Sequence, residues 1–161
     1  HPETIGLDKN KSYSKIMFES LKMISQDTNI VITMPNADAA GDLYRNSMIK
    51  LSALYPSKIS IVENFGRENY FSALQNASMM IGNTSSGILE SASFKKYVIN
   101  VGDRQKGRLR NKNVFDVPFL KDKIIEAYNT VKQLPEYSGK NIFLKKNTAK
   151  KIVETIKNYH A

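Results

Sequence analysis

The run Ile81-Gly82-Asn83-Thr84-Ser85-Ser86-Gly87-Ile88-Leu89-Glu90 sets three consecutive hydroxyl side chains between two glycines, directly behind an apolar stretch. If that stretch is a strand and a helix starts near Gly87, the open N–H groups and positive dipole end of the helix meet an approaching anion. Small residues let the anion reach the backbone, and Thr84, Ser85 and Ser86 add hydroxyl donors. Such a turn suits a diphosphate. The same residues equally make a plain helix N-cap with Glu90 as a first-turn acid, and neither G-x-x-x-x-G-K-[ST] nor G-x-G-x-x-G is present. A carboxylate at Glu90 would repel a diphosphate, yet it can accept two hydroxyls of a ribose.

A second chemical feature is Gly102-Asp103-Arg104-Gln105-Lys106-Gly107-Arg108-Leu109-Arg110-Asn111-Lys112, which carries five cations between Arg104 and Lys112. Arg is planar and multidentate, well matched to phosphate oxygens. A solvated basic loop is the bland alternative. Nucleic acid is a third reading, raised by the net charge, but no pairing of aromatic and basic residues and no recognition-helix pattern supports it.

These two stretches need elements to hold them together. Four apolar segments, 30–34, 59–62, 78–81 and 97–101, are rich in Val, Ile and Met and are mostly closed by Gly, Pro or Asn. That pattern predicts strands buried on both faces. Between them, 14–25, 43–55, 70–77 and 87–94 have helical spacing, and two Lys-rich helices are predicted at 121–134 and 148–160 after a long connection over 133–146. Alternating strand and helix predicts an α/β fold, a Rossmann-like doubly wound parallel sheet with helices on both sides. Both chemical stretches then fall at the C-terminal edge of the sheet, where such folds bind ligands. The first, central strand of such a sheet would run directly into His1 and is absent from the sequence.

The chain has 161 residues, 24 Lys plus Arg against 15 Asp plus Glu, a formal charge of +9 and 41% apolar residues, which fits one domain with a real core. With no cysteine and two histidines, disulfides, thiolate nucleophiles and cysteine- or histidine-rich metal sites are excluded. Apolar runs of about five residues fall far short of the roughly 20 needed to cross a bilayer. A soluble, cytoplasmic protein is expected. The chain opens on His1 without a secretory signal, which reads as a partial polypeptide lacking its N-terminal portion, a processed product, or a tag residue.

The block 82–90 followed by Val98-Ile99-Asn100-Val101-Gly102-Asp103-Arg104-Gln105-Lys106-Gly107-Arg108 closely resembles the C-terminal domain of hydrolysing UDP-N-acetylglucosamine 2-epimerases. His1-Pro2-Glu3-Thr4 looks like the His-Pro motif opening that domain's core, and Pro35-Asn36-Ala37-Asp38 like its Pro-Asn-x-Asp turn. The resemblance implies that residues 1–161 are the UDP-binding half of a GT-B-type two-domain architecture whose N-terminal domain is missing. It implies elimination of UDP from UDP-N-acetylglucosamine and addition of water to give N-acetylmannosamine, for sialic acid-type sugars; some relatives act on a 2,4-diacetamido sugar.

By the same resemblance Thr84 and Ser85 contact the diphosphate, Ser86 and Gly87 shape the turn, and Glu90 holds the ribose. Asn36 and Arg104 complete the nucleotide site, and the backbone near Phe65 faces uracil. His1 is the catalytic residue, stabilising charge on departing UDP. The family's catalytic carboxylates lie in the other domain, so neither Glu3 nor Glu90 takes their place. No cofactor and no metal are implied. The partners expected are UDP, a UDP-N-acetylhexosamine and the missing domain, without nucleic acid or membrane. The parent is expected to be a homo-oligomer, the fragment monomeric and inactive alone. The chain departs from the family at Lys95-Lys96, where relatives often carry Gly-x-Pro. Two other classes share these features: the donor domain of a GT-B glycosyltransferase, and a UDP-sugar-binding module without catalysis.

Overall fold

The computed structural model describes residues 1–4, 6–35 and 40–159. The helices are α1 (Asn10–Ile24), α2 (Gly41–Leu54), α3 (Gly66–Asn76), α4 (Ser85–Leu89), α5 (Lys121–Lys132) and α6 (Thr148–Lys157). The strands are β1 (Ile30–Thr33), β2 (Ile59–Val62), β3 (Met79–Gly82), β4 (Tyr97–Val101) and β5 (Val114–Val117). All strand pairs are parallel, as crossover connections through helices require. The four predicted strands form within a residue of their expected limits. A fifth, β5, was not expected, because Asp116 interrupts its apolar run. Its carboxylate is used at the sheet edge, accepting from Asn100 Nδ2 at 2.6 Å and Arg110 Nε at 2.7 Å.

β4 shows why the sheet needs helices on both faces. Its alternate residues point to opposite sides. Ile99 and Val101 enter the main core beside Leu21 and Ile24 of α1, Leu51 of α2, and Ile124 and Val131 of α5. Val98 points the other way, under α4, where a Cβ on Gly87 would lie 3.0 Å from Val98 Cγ1. Full burial of Leu51, Ile99 and Ile124 contributes about 1.5–3 kcal/mol each. Connections are pinned on both faces: Tyr137 packs edge-on against Tyr97, on the main-core side, with centroids 5.7 Å apart, and on the α4 side Asn141 Nδ2 donates to the Leu89 carbonyl at 2.7 Å and to Ser93 Oγ at 2.8 Å.

The strands divide into two hydrogen-bonded sets, β1–β2 and β3–β4–β5. The expectation of strands buried on both faces therefore holds for β4 but not for β1, where Val31 is 58% exposed. The cause is a cavity of about 920 Å³ lying between the β1 and β3 edges. At the C-terminus α6 presents Ile152, Val153 and Ile156 to solvent. No described helix is long and apolar enough to cross a membrane.

Candidate functional site

β3 ends at Gly82, whose φ of +144° is closed to most L-residues and turns the chain out of the sheet towards α4. Thr84 follows in an extended conformation as the N-cap of α4, but its side chain makes no capping bond. The Thr84 hydroxyl is thus not consumed in the way an ordinary Ser/Thr cap would consume it. The Gly87 N–H donates to the Thr84 carbonyl at 3.2 Å, closing the first turn.

Asn83, buried between the glycine and the hydroxyl run, gathers two other segments around it. Its Oδ1 accepts from the His1 amino group at 2.9 Å, and its Nδ2 donates to the His1 carbonyl at 2.9 Å. Its own carbonyl accepts from Gln105 Nε2 at 2.8 Å and Arg104 Nη1 at 3.4 Å. His1 and Arg104, 103 positions apart in sequence, therefore meet at one turn. Charge-assisted and buried bonds of this kind stabilise by about 1–3 kcal/mol each and leave a larger cost when one partner is removed.

The loop after β4 is aimed by Glu3. This buried carboxylate accepts through Oε1 from the Asp103 N–H at 3.0 Å and the Arg104 N–H at 3.1 Å. Glu3 is itself fixed by Asn10, which accepts from its N–H at 2.8 Å and donates to its carbonyl at 2.9 Å. Gly102 makes this approach feasible: with φ of +84°, a Cβ there would stand 2.3 Å from Phe119 Cε2 and 2.4 Å from Glu3 Oε1. Within the basic loop, Arg104 reaches the 82–90 turn through its bond to the Asn83 carbonyl. Arg110 turns to Asp116 and to the carbonyls of Gln105 and Arg108, and Lys106 pairs with Asp103. Arg108 and Lys112 are exposed. The loop is therefore one directed arginine on a mostly solvated basic surface.

Glu90 lies at the other end of α4. Ser86 Oγ donates to its Oε2 at 2.6 Å. A carboxylate only accepts, so the Ser86 proton is committed, and the Tyr70 hydroxyl of α3 donates in turn to Ser86 Oγ. Burial raises the Tyr70 pKa, and the Glu90 charge adds to that shift. The Tyr70–Ser86–Glu90 chain orients the carboxylate from α4. Phe65, at the N-terminal end of α3, lines the inter-sheet cavity with Tyr70. Asn36 lies outside the described residues. Among the described residues no group of three or more His, Asp or Glu side chains is placed to share a metal ion.

The family model for UDP-N-acetylglucosamine 2-epimerase matches residues 1–157, almost the whole chain. The chain belongs to that family. Among curated relatives it is 36% identical over 116 residues to GDP/UDP-N,N'-diacetylbacillosamine 2-epimerase (hydrolyzing) of Campylobacter jejuni, covering 72% of this chain and 30% of that protein. It is 33% identical over 145 residues to UDP-N,N'-diacetylbacillosamine 2-epimerase (hydrolyzing) of Legionella pneumophila, covering 89% of this chain and 38% of that one. Identity to polysialic acid biosynthesis protein P7 of Escherichia coli is 28% over 164 residues, covering 99% of this chain and 41% of that one. The chain thus spans well under half the length of these relatives. The structure of UDP-GlcNAc 2-epimerase from Methanocaldococcus jannaschii has the same fold, with TM-score 0.67 and 17% identity over 92% of this chain and 42% of that one. The fold is accordingly a GT-B-type Rossmann-like α/β fold.

In this epimerase-family chain, His1, Arg104 and the 82–90 turn converge, while Glu90 is oriented separately through Ser86. Sequence reasoning missed Asn83, Gln105, Glu3 and Tyr70 as organisers of the site. Asn83 and Gln105 stood inside the quoted motifs, yet a buried amide that binds backbone carbonyls leaves no pattern in spacing. Glu3, set aside as a catalytic base, proves to be a brace.

Proposed function

We propose that this chain is the UDP-binding half of a hydrolysing UDP-sugar 2-epimerase. The observation that carries the reading is the gathering of His1, Arg104 and Gln105 around Asn83, at the turn that bears Thr84 and Ser85. In this reading the diphosphate sits against the Thr84 and Ser85 hydroxyls, the backbone N–H groups at the start of α4 and the Arg104 guanidinium. Glu90, oriented by Ser86 and Tyr70, accepts the ribose hydroxyls. Asn36 and the backbone near Phe65 complete the nucleotide site.

The reaction removes the C2 proton of the sugar while the C1–O bond to UDP breaks, giving a glycal; water then adds across the double bond to give the free 2-epimeric sugar. His1 and Arg104 act on the leaving group, where negative charge grows as the bond breaks, so their stabilisation is larger in the transition state than in the bound substrate. The base that takes the C2 proton must approach from the opposite side of the cleft, which assigns it to a further domain. The isolated chain is then inactive. UDP-N-acetylglucosamine, giving N-acetylmannosamine for sialic acid-type sugars, is one substrate; the relatives named for UDP-N,N'-diacetylbacillosamine favour its 2,4-diacetamido counterpart.

The test uses the full-length protein with each UDP-sugar in turn, following released UDP and the free sugar by NMR. The reading expects a free 2-epimeric N-acetylhexosamine from one of the two, and loss of turnover in Arg104→Ala. Transfer of the sugar to a glycan acceptor would instead assign the chain to a glycosyltransferase. Binding without turnover of either sugar would leave a non-catalytic module.

A further inference from the structure

α4 has five residues, fewer than two turns, and a helix of that length does not hold its shape by its own backbone bonds. The carbonyls at its end need partners from outside the helix. The Gly87 carbonyl accepts from Ser91 Oγ at 2.5 Å, the Ile88 carbonyl from Asn111 Nδ2 at 3.1 Å and the Leu89 carbonyl from Asn141 Nδ2 at 2.7 Å. Three successive carbonyls thus take side-chain donors. Two of those donors come from segments 23 and 52 positions away.

The two asparagines form one unit. Asn111 Nδ2 also donates to Asn141 Oδ1 at 3.2 Å, and Asn111 Oδ1 accepts from the Ile142 N–H at 2.8 Å. Asn141 Nδ2 also donates to Ser93 Oγ at 2.8 Å, and Asn141 Oδ1 accepts from the Phe143 N–H at 2.9 Å. Each side-chain amide has two protons to give and one oxygen to accept, and both residues use all of them. Only the amide nitrogen can donate to a carbonyl, so Ile88 and Leu89 fix which way each amide faces. Buried Asn113 completes the clamp. Its Nδ2 donates to Ser91 Oγ at 2.8 Å and to the Lys96 carbonyl at 2.6 Å, which holds Ser91 where it meets Gly87.

Glu90 follows directly after Leu89, at the junction of α4 with the 3₁₀ turn Ser91–Phe94. The clamp fixes its backbone, while Ser86 orients its carboxylate. Position against the diphosphate side is set by the same loop. Arg104 and Gln105 bond the Asn83 carbonyl ahead of α4, and Asn111, further along that loop, bonds the Ile88 carbonyl towards the far end. The loop after β4 therefore grips α4 at both ends and holds the carboxylate at a set separation from the hydroxyl turn. Ser91, Asn111, Asn113 and Asn141 are uncharged, so they place Glu90 without neutralising it.

We propose that Asn111 and Asn141 are positioning residues for ribose recognition: by fixing the end of α4 they place the Glu90 carboxylate against the ribose hydroxyls and so set the preference for a ribonucleotide. This rests on the reading of Glu90 as the ribose acceptor. The asparagines act through Glu90 rather than on the ligand. A displacement of Glu90 by about 1 Å takes a hydrogen bond from ordinary length to beyond reach.

The experiment titrates the chain calorimetrically with UDP and with 2′-deoxy-UDP and takes the ratio of the two affinities. The unsubstituted chain should favour UDP by about tenfold, the scale of one hydrogen bond to a charged group. Asn141→Ala and the milder Asn141→Ser should each bring the ratio to about threefold or less, and the second decides where the first does not fold. In a Glu90→Gln chain the ratio is already small, and adding Asn141→Ser should lower it no further, as expected of residues acting through one group. Ile124→Val, which loosens the core away from α4, should leave the ratio unchanged. An undiminished ratio in the folded Asn141 variants would overturn the proposal while leaving Glu90 on the ribose. So would an equal fall in Ile124→Val, because general loosening would then suffice. An unsubstituted chain that fails to bind UDP, or that favours neither nucleotide, would overturn the reading of Glu90 and the proposal with it.

Discussion

The β3–β4–β5 half and the β1–β2 half of the molecule are built from equally apolar strands but are held differently. In the first, β4 is covered on both faces, and side chains remote in sequence lock the loops at its C-terminal edge: Asn83 to His1, Gln105 to the turn, Glu3 to the 102–104 backbone. In the second, β1 has one strand neighbour, an edge facing a cavity, and alternate residues in solvent. The candidate site stands on the locked half. Preorganised donors of this kind are what a charge-binding turn requires, because they need no reorganisation when the ligand arrives.

The largest test of that contrast is at Gly102. A side chain there meets the buried Phe119 ring and Glu3 while φ stays positive, so Gly102→Val should destabilise by about 3 kcal/mol or more in urea unfolding. A tolerated valine would mean that the loop is less constrained than its contacts indicate. The next comparison sets the two halves against each other directly. Ile99→Ala, at a side chain with no exposure, should cost about 3–4 kcal/mol, and Ile32→Ala, half-buried at the cavity, about 1 kcal/mol. Equal costs would break the distinction.

Glu3→Ala should cost about 1–3 kcal/mol by orphaning two backbone N–H groups, and should weaken UDP affinity through Arg104. Glu3→Gln keeps an acceptor oxygen and should recover part of both. Stability lost with affinity unchanged would separate the brace from the site. The smallest effect is expected at Lys95, which holds φ of +58°, a conformation glycine adopts at no steric cost. Its ion pair to Glu136, at 3.4 Å, is exposed and worth little. Lys95→Gly should stabilise by about 0.5–1 kcal/mol in thermal or urea unfolding.

The alternation of apolar runs with helical spacing made the α/β class and parallel sheet legible, because buried strands and amphipathic helices carry their own periodicities. The exposure of β1 was not, since an apolar run carries no sign of how many neighbours its strand will have. β5 was hidden by Asp116, a charge that makes sense only once Asn100 and Arg110 lie beside it. At the site, the hydroxyl turn and Arg104 stood out by type and spacing. Asn83 and Glu3 did not, because their role is to bond the backbone of segments up to about a hundred residues away. That role has no local signature.

The central claim is that the 82–90 turn and Arg104 form a diphosphate cradle, and calorimetric titration of the chain with UDP, beside UMP and a short RNA, tests it most directly. The account predicts UDP binding at about 0.1–1 mM, equivalent to roughly 4–5.5 kcal/mol, tighter than UMP and lost in Ser85→Ala and Arg104→Ala. Equal affinity for UDP and UMP, or RNA binding without UDP binding by the folded chain, would contradict it.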